Sequence, residues 1–260
     1  MSGSGSALWA SPLGAVVGVL MGAFGGGGSL LAIPILVYVV GQGVVAAQAT
    51  ALVIVAAASF AGLLAHLSAG DVRWRMGATF GLAAGVAALA GSALAEALDP
   101  DVLLLAFAPV MLAGAWLLVS DRVRRPADFQ PWRFGVDLAE VVRVIALGVG
   151  AGFGIGLFGV GGGFVIVPVM VLVLHLSMIE AVGTSLLVVL VGSSFALADR
   201  LASGLVEASV AVPFAAAALL GALAGQRLAE RTETDRLQRS FAGVIAVAAV
   251  YTGISSAIAL

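Results

Sequence analysis

The chain has 260 residues, of which 62% are hydrophobic and only 10% are charged, and its formal net charge is −2. Soluble globular domains carry roughly 25% charged residues, so this composition indicates a protein that crosses a lipid bilayer several times. The weakly acidic balance argues against a nucleic-acid partner, and the lack of cysteine excludes disulfides, thiolate catalysis and cysteine metal sites. Residues 1–6 lack the positive region of a secretory signal, so we expect no cleaved leader.

Apolar stretches alternate with polar or glycine-rich breaks along the whole chain. Ten of them are predicted to be helices in the membrane: 8–23, 28–41, 44–67, 74–97, 101–119, 140–157, 162–176, 178–199, 205–229 and 237–259. A polar connector with two prolines, 120–137, separates the first five from the second five. The sequence therefore predicts an all-α polytopic membrane protein with a first membrane repeat at 1–119, a linker at 120–139 and a second membrane repeat at 140–260.

The two halves are related by an internal repeat. FGGGGSLLAIP, from Phe24 to Pro34, aligns with FGVGGGFVIVP, from Phe158 to Pro168, at an offset of 134 residues. Between Gly14 and Pro34, eight of the 21 positions carry the same residue in both halves, and later matches pair Thr50 with Thr184 and Ser59 with Ser193. This agreement predicts that the chain is an internal duplication.

The distribution of arginine predicts how the halves are oriented. All twelve basic residues are arginine, and eleven of them lie on one side if the linker is cytoplasmic and every stretch crosses the membrane. Only Arg200 then lies outside, which is a strong positive-inside bias. An even number of crossings per half would break this bias. We therefore expect two inverted five-segment repeats in the cell (inner or plasma) membrane, a cytoplasmic linker, and both termini on the non-cytoplasmic side.

Each glycine run adjoins a stretch that is too short to cross a bilayer. About 14–16 residues at 1.5 Å each cover less than the roughly 30 Å hydrocarbon core. Each run is therefore predicted to form a broken or re-entrant helical hairpin at membrane depth, which is tolerated only where it is buried or lines a cavity. Paired interrupted segments of this kind indicate the substrate site of a secondary transporter, and the helix N-termini that follow the glycines favour an anion.

A second group of glycines has a different predicted role. Gly14, Gly18 and Gly22, and their counterparts Gly148, Gly152 and Gly156, recur every four residues. This spacing is typical of the small-residue stripe at which two membrane helices pack closely.

These motifs resemble the TauE/SafE family of sulfite and organosulfonate exporters. The resemblance rests on the paired glycine-rich motifs, EAVGTSL from Glu180, GDVRWR from Gly70 and AGQRLAER from Ala224, and it covers 12–118 and 141–258. It implies transport of small sulfur-containing or other organic anions. The first half departs from it, because AAQATAL places Gln48 and Ala49 where the second half has a valine and a glycine. The two half-sites are therefore not expected to contribute equally.

The candidate site residues lie in the glycine-rich motifs or about one turn into the helix that follows each short segment. The substrate-binding candidates are Phe24, Gly25, Gly26, Gly27, Gly28, Ser29, Gln48, Thr50, Phe158, Gly159, Gly161, Gly162, Gly163, Thr184 and Ser185. Because no lysine or arginine is predicted at mid-membrane, we expect the anion to be held by helix N-termini and by hydroxyls such as those of Thr50 and Thr184.

A separate set of residues is assigned to coupling or gating. It comprises His66, His175, Glu180, Asp199 and Arg200. Proton coupling through the histidines or Glu180 is one interpretation, and attraction of anions by Arg200 is another. The structural alternatives are a capping box between Ser177 and Glu180, histidines that merely cap helix ends, and hydroxyls that bond to their own helix.

The functional prediction is a secondary transporter, with two alternatives. One is a passive anion channel, which would share the cavity but show no coupling. The other is an intramembrane hydrolase that uses Ser29 and His66, but Gly163 replaces Ser29 in the second half and no catalytic set is completed. We expect a small anionic substrate and a lipid environment, no cofactor, no metal and no nucleic acid, and we leave the oligomeric state open.

Overall fold

The computed structural model describes residues 3–24, 27–120, 138–159, 163–204, 206–229 and 234–259. Within these ranges every regular element is a helix, so the all-helical prediction is confirmed. In chain order the helices are α1 (Gly3–Phe24), α2 (three consecutive turns, Gly27–Leu31, Ala32–Pro34 and Ile35–Val39), α3 (Val44–Ala69), α4 (Trp74–Ala97), α5 (Pro100–Val119), α6 (Leu138–Phe158), α7 (Gly163–Leu172), α8 (Met178–Ala202), α9 (Ala208–Ala229) and α10 (Thr234–Ala259).

Six of the described helices, α3, α4, α5, α6, α8 and α9, are long and apolar enough to cross a membrane. Large apolar side chains such as Trp116, Leu220 and Val247 are exposed on their surfaces or on α10. The predicted helix ends are wrong by a few residues at two places that matter. Helix α8 continues to Ala202, so Arg200 lies in its last turn and not beyond its end, and α6 begins at Leu138, within the predicted linker.

The two short helical segments, α2 and α7, end in the same way. Val40 N–H donates to Ile35 O and Leu174 N–H donates to Val169 O, at 3.0 and 3.2 Å. The next residues, Gly41 and His175, both have left-handed backbone, with φ of 78° and 51°. These positions are equivalent at the offset of the sequence repeat, so the duplicated sequence forms a duplicated backbone motif.

The spaced glycines bring helices from different halves together. Along α1, Gly14, Gly18 and Gly22 face the backbone of Phe214, Ala218 and Ala222 in α9. Along α6, Gly148, Gly152 and Gly156 face the backbone of Phe80, Ala84 and Ala88 in α4. A Cβ atom on Gly14 or Gly148 would lie 2.6 or 2.7 Å from the carbonyl oxygen it faces, too close for any side chain. The predicted packing role of these glycines is confirmed.

Helices α3 and α8 form the centre of the bundle and are the most buried of the six candidate spans. Residues near the start of α3 meet residues near the end of α8, and the reverse also holds. The three contacts that show this are Gln48 with Arg200, Gly62 with Leu186, and His66 with Gly183. The pair is therefore antiparallel, although α3 and α8 are equivalent helices of the sequence repeat.

Candidate functional site

A buried cation lies where α3, α4 and α8 meet. Arg200, in the last turn of α8, is the largest of the wholly buried side chains among the described residues. Its Nη1 lies 3.4 Å from Glu96 Oε1 in α4, and its Nη2 lies 3.5 Å from Gln48 Oε1 in α3. We call these three residues the Arg200 cluster.

Gln48 connects this cluster to the second glycine-rich motif. Its Nε2 donates to the carbonyl oxygen of Leu157 at 3.3 Å. That carbonyl belongs to the last turn of α6, where helical carbonyls have no partner inside the helix. Gly159, two residues later, has φ of 65°, and a Cβ atom there would lie 2.6 Å from Gln48 Cβ. Glycine is therefore required here both by the backbone conformation and by the approach of Gln48.

The Arg200 cluster has unused capacity for hydrogen bonding. Both contacts of the guanidinium are long compared with the roughly 2.7–2.9 Å of a strong charge-assisted hydrogen bond. The Nε atom of Arg200 is buried and has no hydrogen-bond partner among the described residues. A charge inside a membrane bundle is costly and by default indicates function. Arg200 lies near the end of α8, in its last turn, but its side chain is wholly buried, which the sequence did not indicate.

The residues of the EAVGTSL motif lie at the opposite end of the α3–α8 pair. Thr184 Oγ accepts a hydrogen bond from Arg73 N–H at 3.0 Å, at the start of α4. Glu180 forms an ion pair with Arg73 and completes a capping box with Ser177. Ser185 Oγ donates to Val182 O at 2.8 Å. The capping-box interpretation of Glu180 is thus confirmed, and the Thr184 hydroxyl already has a backbone partner.

The two histidines lie at helix ends. His66 Nδ1 is 3.6 Å from Asp71 Oδ2, close to the C-terminus of α3. His175 is exposed and occupies the left-handed position that follows α7. Asp199 is half-buried, and its carbonyl oxygen accepts from Ser203 N–H in a C-terminal cap of α8. The end-of-helix interpretation of the histidines therefore agrees with their positions.

The two threonines that the repeat makes equivalent are far apart. Because α3 and α8 are antiparallel, Thr50 lies near the level of Arg200, whereas Thr184 lies near the level of His66. About 15 residues of helix separate these levels, or roughly 22 Å. The structure therefore does not bring Thr50 and Thr184 to one anion. Thr50 is wholly buried, and its hydroxyl has no hydrogen-bond partner among the described residues.

The remaining candidates lie around the two short segments. Gly27 and Gly28 form the first turn of α2, Ser29 is wholly buried in it, and Gly163 is buried at the start of α7. Phe24 ends α1, and the ring of Phe158 contacts that of Phe107 at a centroid distance of 5.4 Å. Gly25, Gly26, Gly161 and Gly162 lie outside the described residues.

Two buried serines at the middle of the central pair also carry polar groups. Ser59 in α3 and Ser193 in α8 are equivalent in the repeat and wholly buried. Neither hydroxyl has a hydrogen-bond partner among the described residues. Because the two helices are antiparallel, positions near their midpoints are the ones that come to the same level.

Glu96 was not recognised as a site residue from the sequence. It occurs in the last turn of an otherwise apolar predicted helix, next to an acidic loop, and resembled an ordinary interfacial charge. The available signal was its position within the apolar stretch. A carboxylate there and an arginine in the last turn of another helix are candidates for an ion pair.

Comparison with known proteins identifies the family to which the chain belongs. The family model described as "Sulfite exporter TauE/SafE" matches residues 10–252. A "Probable membrane transporter protein" of Xylella fastidiosa strain 9a5c is 33% identical over 241 residues, which cover 92% of this chain and 91% of that protein. A protein with the same description from strain Temecula1 is 33% identical over 244 residues, with the same coverage. No solved structure matches the chain significantly. The chain is therefore a multi-pass membrane protein that belongs to the TauE/SafE family of membrane transporters.

Proposed function

We propose that the chain is a secondary transporter that exports small sulfur-containing or organic anions, such as sulfite or sulfonates, across the cell membrane. The family model and the description of both relatives support a transporter. The single observation that carries the choice of an anion is the enclosed Arg200, whose guanidinium is only loosely bound and retains a free donor.

The chemistry of the Arg200 cluster suits an oxyanion. A guanidinium presents its donors in a planar fork that matches the spacing of oxygens on a carboxylate, sulfonate or sulfite group. The amide of Gln48 adds a polar contact beside it, and α7 begins soon after the Gly159 joint, so its N-terminus adds a favourable dipole. Inorganic cations and neutral sugars gain nothing from such a site.

The arrangement of the halves supports alternating access. Equivalent helices α3 and α8 run antiparallel, and the glycine contacts of α1 with α9 recur between α6 and α4. We therefore retain the two inverted five-segment repeats, with the linker in the cytoplasm, both termini outside, and the glycine-rich joints as broken or re-entrant hairpins. Rocking of one repeat against the other would then expose the central pair to each side in turn.

The path that we propose follows the α3–α8 interface. For export the anion enters near His66, passes the hydroxyls of Ser59 and Ser193, and binds at the Arg200 cluster before it is released at that end. An open pore is not favoured, because the Arg200 side chain is only 1% exposed. This enclosure favours a carrier over the alternative of a passive channel.

The proposal is tested with the purified chain in proteoliposomes. Uptake of sulfite, thiosulfate, sulfate, sulfoacetate and taurine is compared with that of choline and glucose. We expect saturable transport of at least one small sulfur oxyanion and no transport of choline or glucose. Any current should be no larger than the turnover rate of a carrier produces. Transport of choline in preference to every anion would contradict the proposal, and currents far above carrier turnover would favour a channel.

A further inference from the structure

Resting on the proposed anion transport, we propose that Glu96 is a built-in competitor of the substrate. Its carboxylate occupies the anion position at Arg200 when no substrate is present, and an incoming anion displaces it. The Glu96–Arg200 pair is therefore the element that sets both the affinity for the substrate and the preferred substrate charge.

The two partners differ sharply in their access to water. The side chain of Glu96 is 43% exposed, whereas that of Arg200 is 1% exposed. Glu96 lies in the last turn of α4 and can turn outward and remain hydrated. Arg200 has no such alternative and needs an acceptor at all times, because an unpaired buried charge is strongly destabilising. Asp199 adds a favourable charge nearby and Gln48 a neutral acceptor, but Glu96 is the described carboxylate that contacts the guanidinium. A substrate anion that displaces Glu96 takes over that contact.

Among the described residues, two carboxylates pair with arginine across the halves, and Glu96 is the more weakly held of them. It makes one 3.4 Å contact with Arg200 Nη1. Glu180, at the other end of the central pair, binds Arg73 and also accepts a hydrogen bond from Ser177 N–H at 3.2 Å. A single long contact gives little stabilisation, and a monodentate pair lacks the geometry of the two-pronged arginine–carboxylate interaction. Glu96 is thus the exchangeable partner.

Exchange of one carboxylate for one substrate anion keeps the charge beside Arg200 balanced. A singly charged oxyanion replaces Glu96 without leaving an excess charge in the bundle, whereas a dianion adds one negative charge that no described neighbour compensates. The site should therefore prefer monoanions of the size of a carboxylate or sulfonate. Gln48 contacts both Arg200 and the carbonyl of Leu157, so a shift of Gln48 during the exchange would also change the contact at the Gly159 joint.

Removal of the competitor should increase affinity. The apparent Kd is the intrinsic Kd divided by the fraction of molecules in which Arg200 is not occupied by Glu96. If Glu96 occupies Arg200 for most of the time, Glu96→Gln should lower the apparent Kd by about 3- to 10-fold. Glu96→Asp keeps the charge but shortens the reach, and it should give a Kd between those of the wild type and Glu96→Gln. Asp101→Asn removes the same charge from the nearby start of α5, where no contact with Arg200 is observed. This control should leave the Kd unchanged.

The experiment is calorimetric titration of the purified full-length chain with methanesulfonate, a permanent monoanion, and with sulfate, a dianion. Thermal unfolding of each variant is measured in the same detergent. Tighter binding of methanesulfonate by Glu96→Gln, with no change in Asp101→Asn, supports the proposal. An unchanged or raised Kd in Glu96→Gln overturns it, as does an equal gain in both variants, which would indicate a general charge effect. If Glu96→Gln does not fold, the Glu96→Asp titration decides in the same way.

This outcome is separate from that of the transport proposal. If the wild type moves an anion but its affinity does not respond to Glu96, only the competitor role is wrong. If the wild type neither binds methanesulfonate nor moves any anion of the transport panel, the transport proposal fails first.

Discussion

Replacement of single glycines in α6 tests the helix packing that holds the two halves together. Gly148 and Gly150 are two residues apart in one helix but face different surroundings. A Cβ atom on Gly148 would lie 2.7 Å from Phe80 O of α4, whereas a Cβ atom on Gly150 would meet nothing within 4 Å. The variants Gly148→Ala and Gly150→Ala therefore add the same methyl group, one into an interface and one into open space.

The expected free energies have opposite signs. Alanine is favoured over glycine in a helix by up to about 1 kcal/mol, and Gly150→Ala should gain part of this. Gly148→Ala has the same gain, but ordinary contact begins near 3.4 Å, so α4 and α6 must move apart by about 0.7 Å. Overpacking of this kind costs about 1–3 kcal/mol, which leaves a net loss of about 0.5–2 kcal/mol.

Thermal unfolding of both variants in one detergent measures the difference. At about 2–4 °C per kcal/mol for a chain of this size, Gly148→Ala should melt several degrees below Gly150→Ala, and Gly150→Ala should equal or exceed the wild type. Equal melting temperatures, or a lower value for Gly150→Ala, would refute the assignment of the stripe to close backbone packing.

Two further predictions concern the joint and the topology. Gly159→Ala should lower the melting temperature and the transport rate more than Gly204→Ala, because both positions have left-handed φ, near 65° and 68°, but only Gly159 faces Gln48. The backbone strain of a left-handed alanine, common to both variants, is about 1–2 kcal/mol, and the clash with Gln48 adds about 1–3 kcal/mol at Gly159 alone. Equal losses in the two variants would show that the contact with Gln48 does not contribute. Single cysteines introduced near Arg125 and Arg231 should react only from the cytoplasm, and those near Asp99 and Gly204 only from outside. Cytoplasmic labelling at both Asp99 and Gly204 would show that the repeats are not inverted.

The sequence predicted those features that depend on local pattern. The apolar stretches, the four-residue spacing of Gly14, Gly18 and Gly22, and the S-x-x-E motif at Ser177 each depend on neighbours within a turn or two of helix. For that reason they were recognised without knowledge of the tertiary structure. Helix ends were predicted only to within a few residues. The burial of Arg200 in the last turn of α8 depends on its contacts with α3 and α4, which the local pattern does not contain.

The site could not be predicted fully because it depends on how the two halves cross. Sequence equivalence of Thr50 and Thr184 suggested a shared site, but in an antiparallel pair equivalent residues lie at opposite ends unless they are near the midpoint. Contacts among Gln48, Glu96 and Arg200 join three helices from both halves at sequence separations of more than one hundred residues. No local pattern encodes such a contact.

The most direct test of the account compares anion binding by Arg200→Gln and Thr184→Val. Loss of a charge-assisted hydrogen bond costs about 1.5–3 kcal/mol, so Arg200→Gln should raise the Kd for methanesulfonate by roughly 10- to 150-fold. Thr184→Val removes a hydroxyl that serves the backbone of Arg73 and should raise it far less. A larger loss in Thr184→Val than in Arg200→Gln, with both variants folded, would contradict the placement of the anion at the Arg200 cluster.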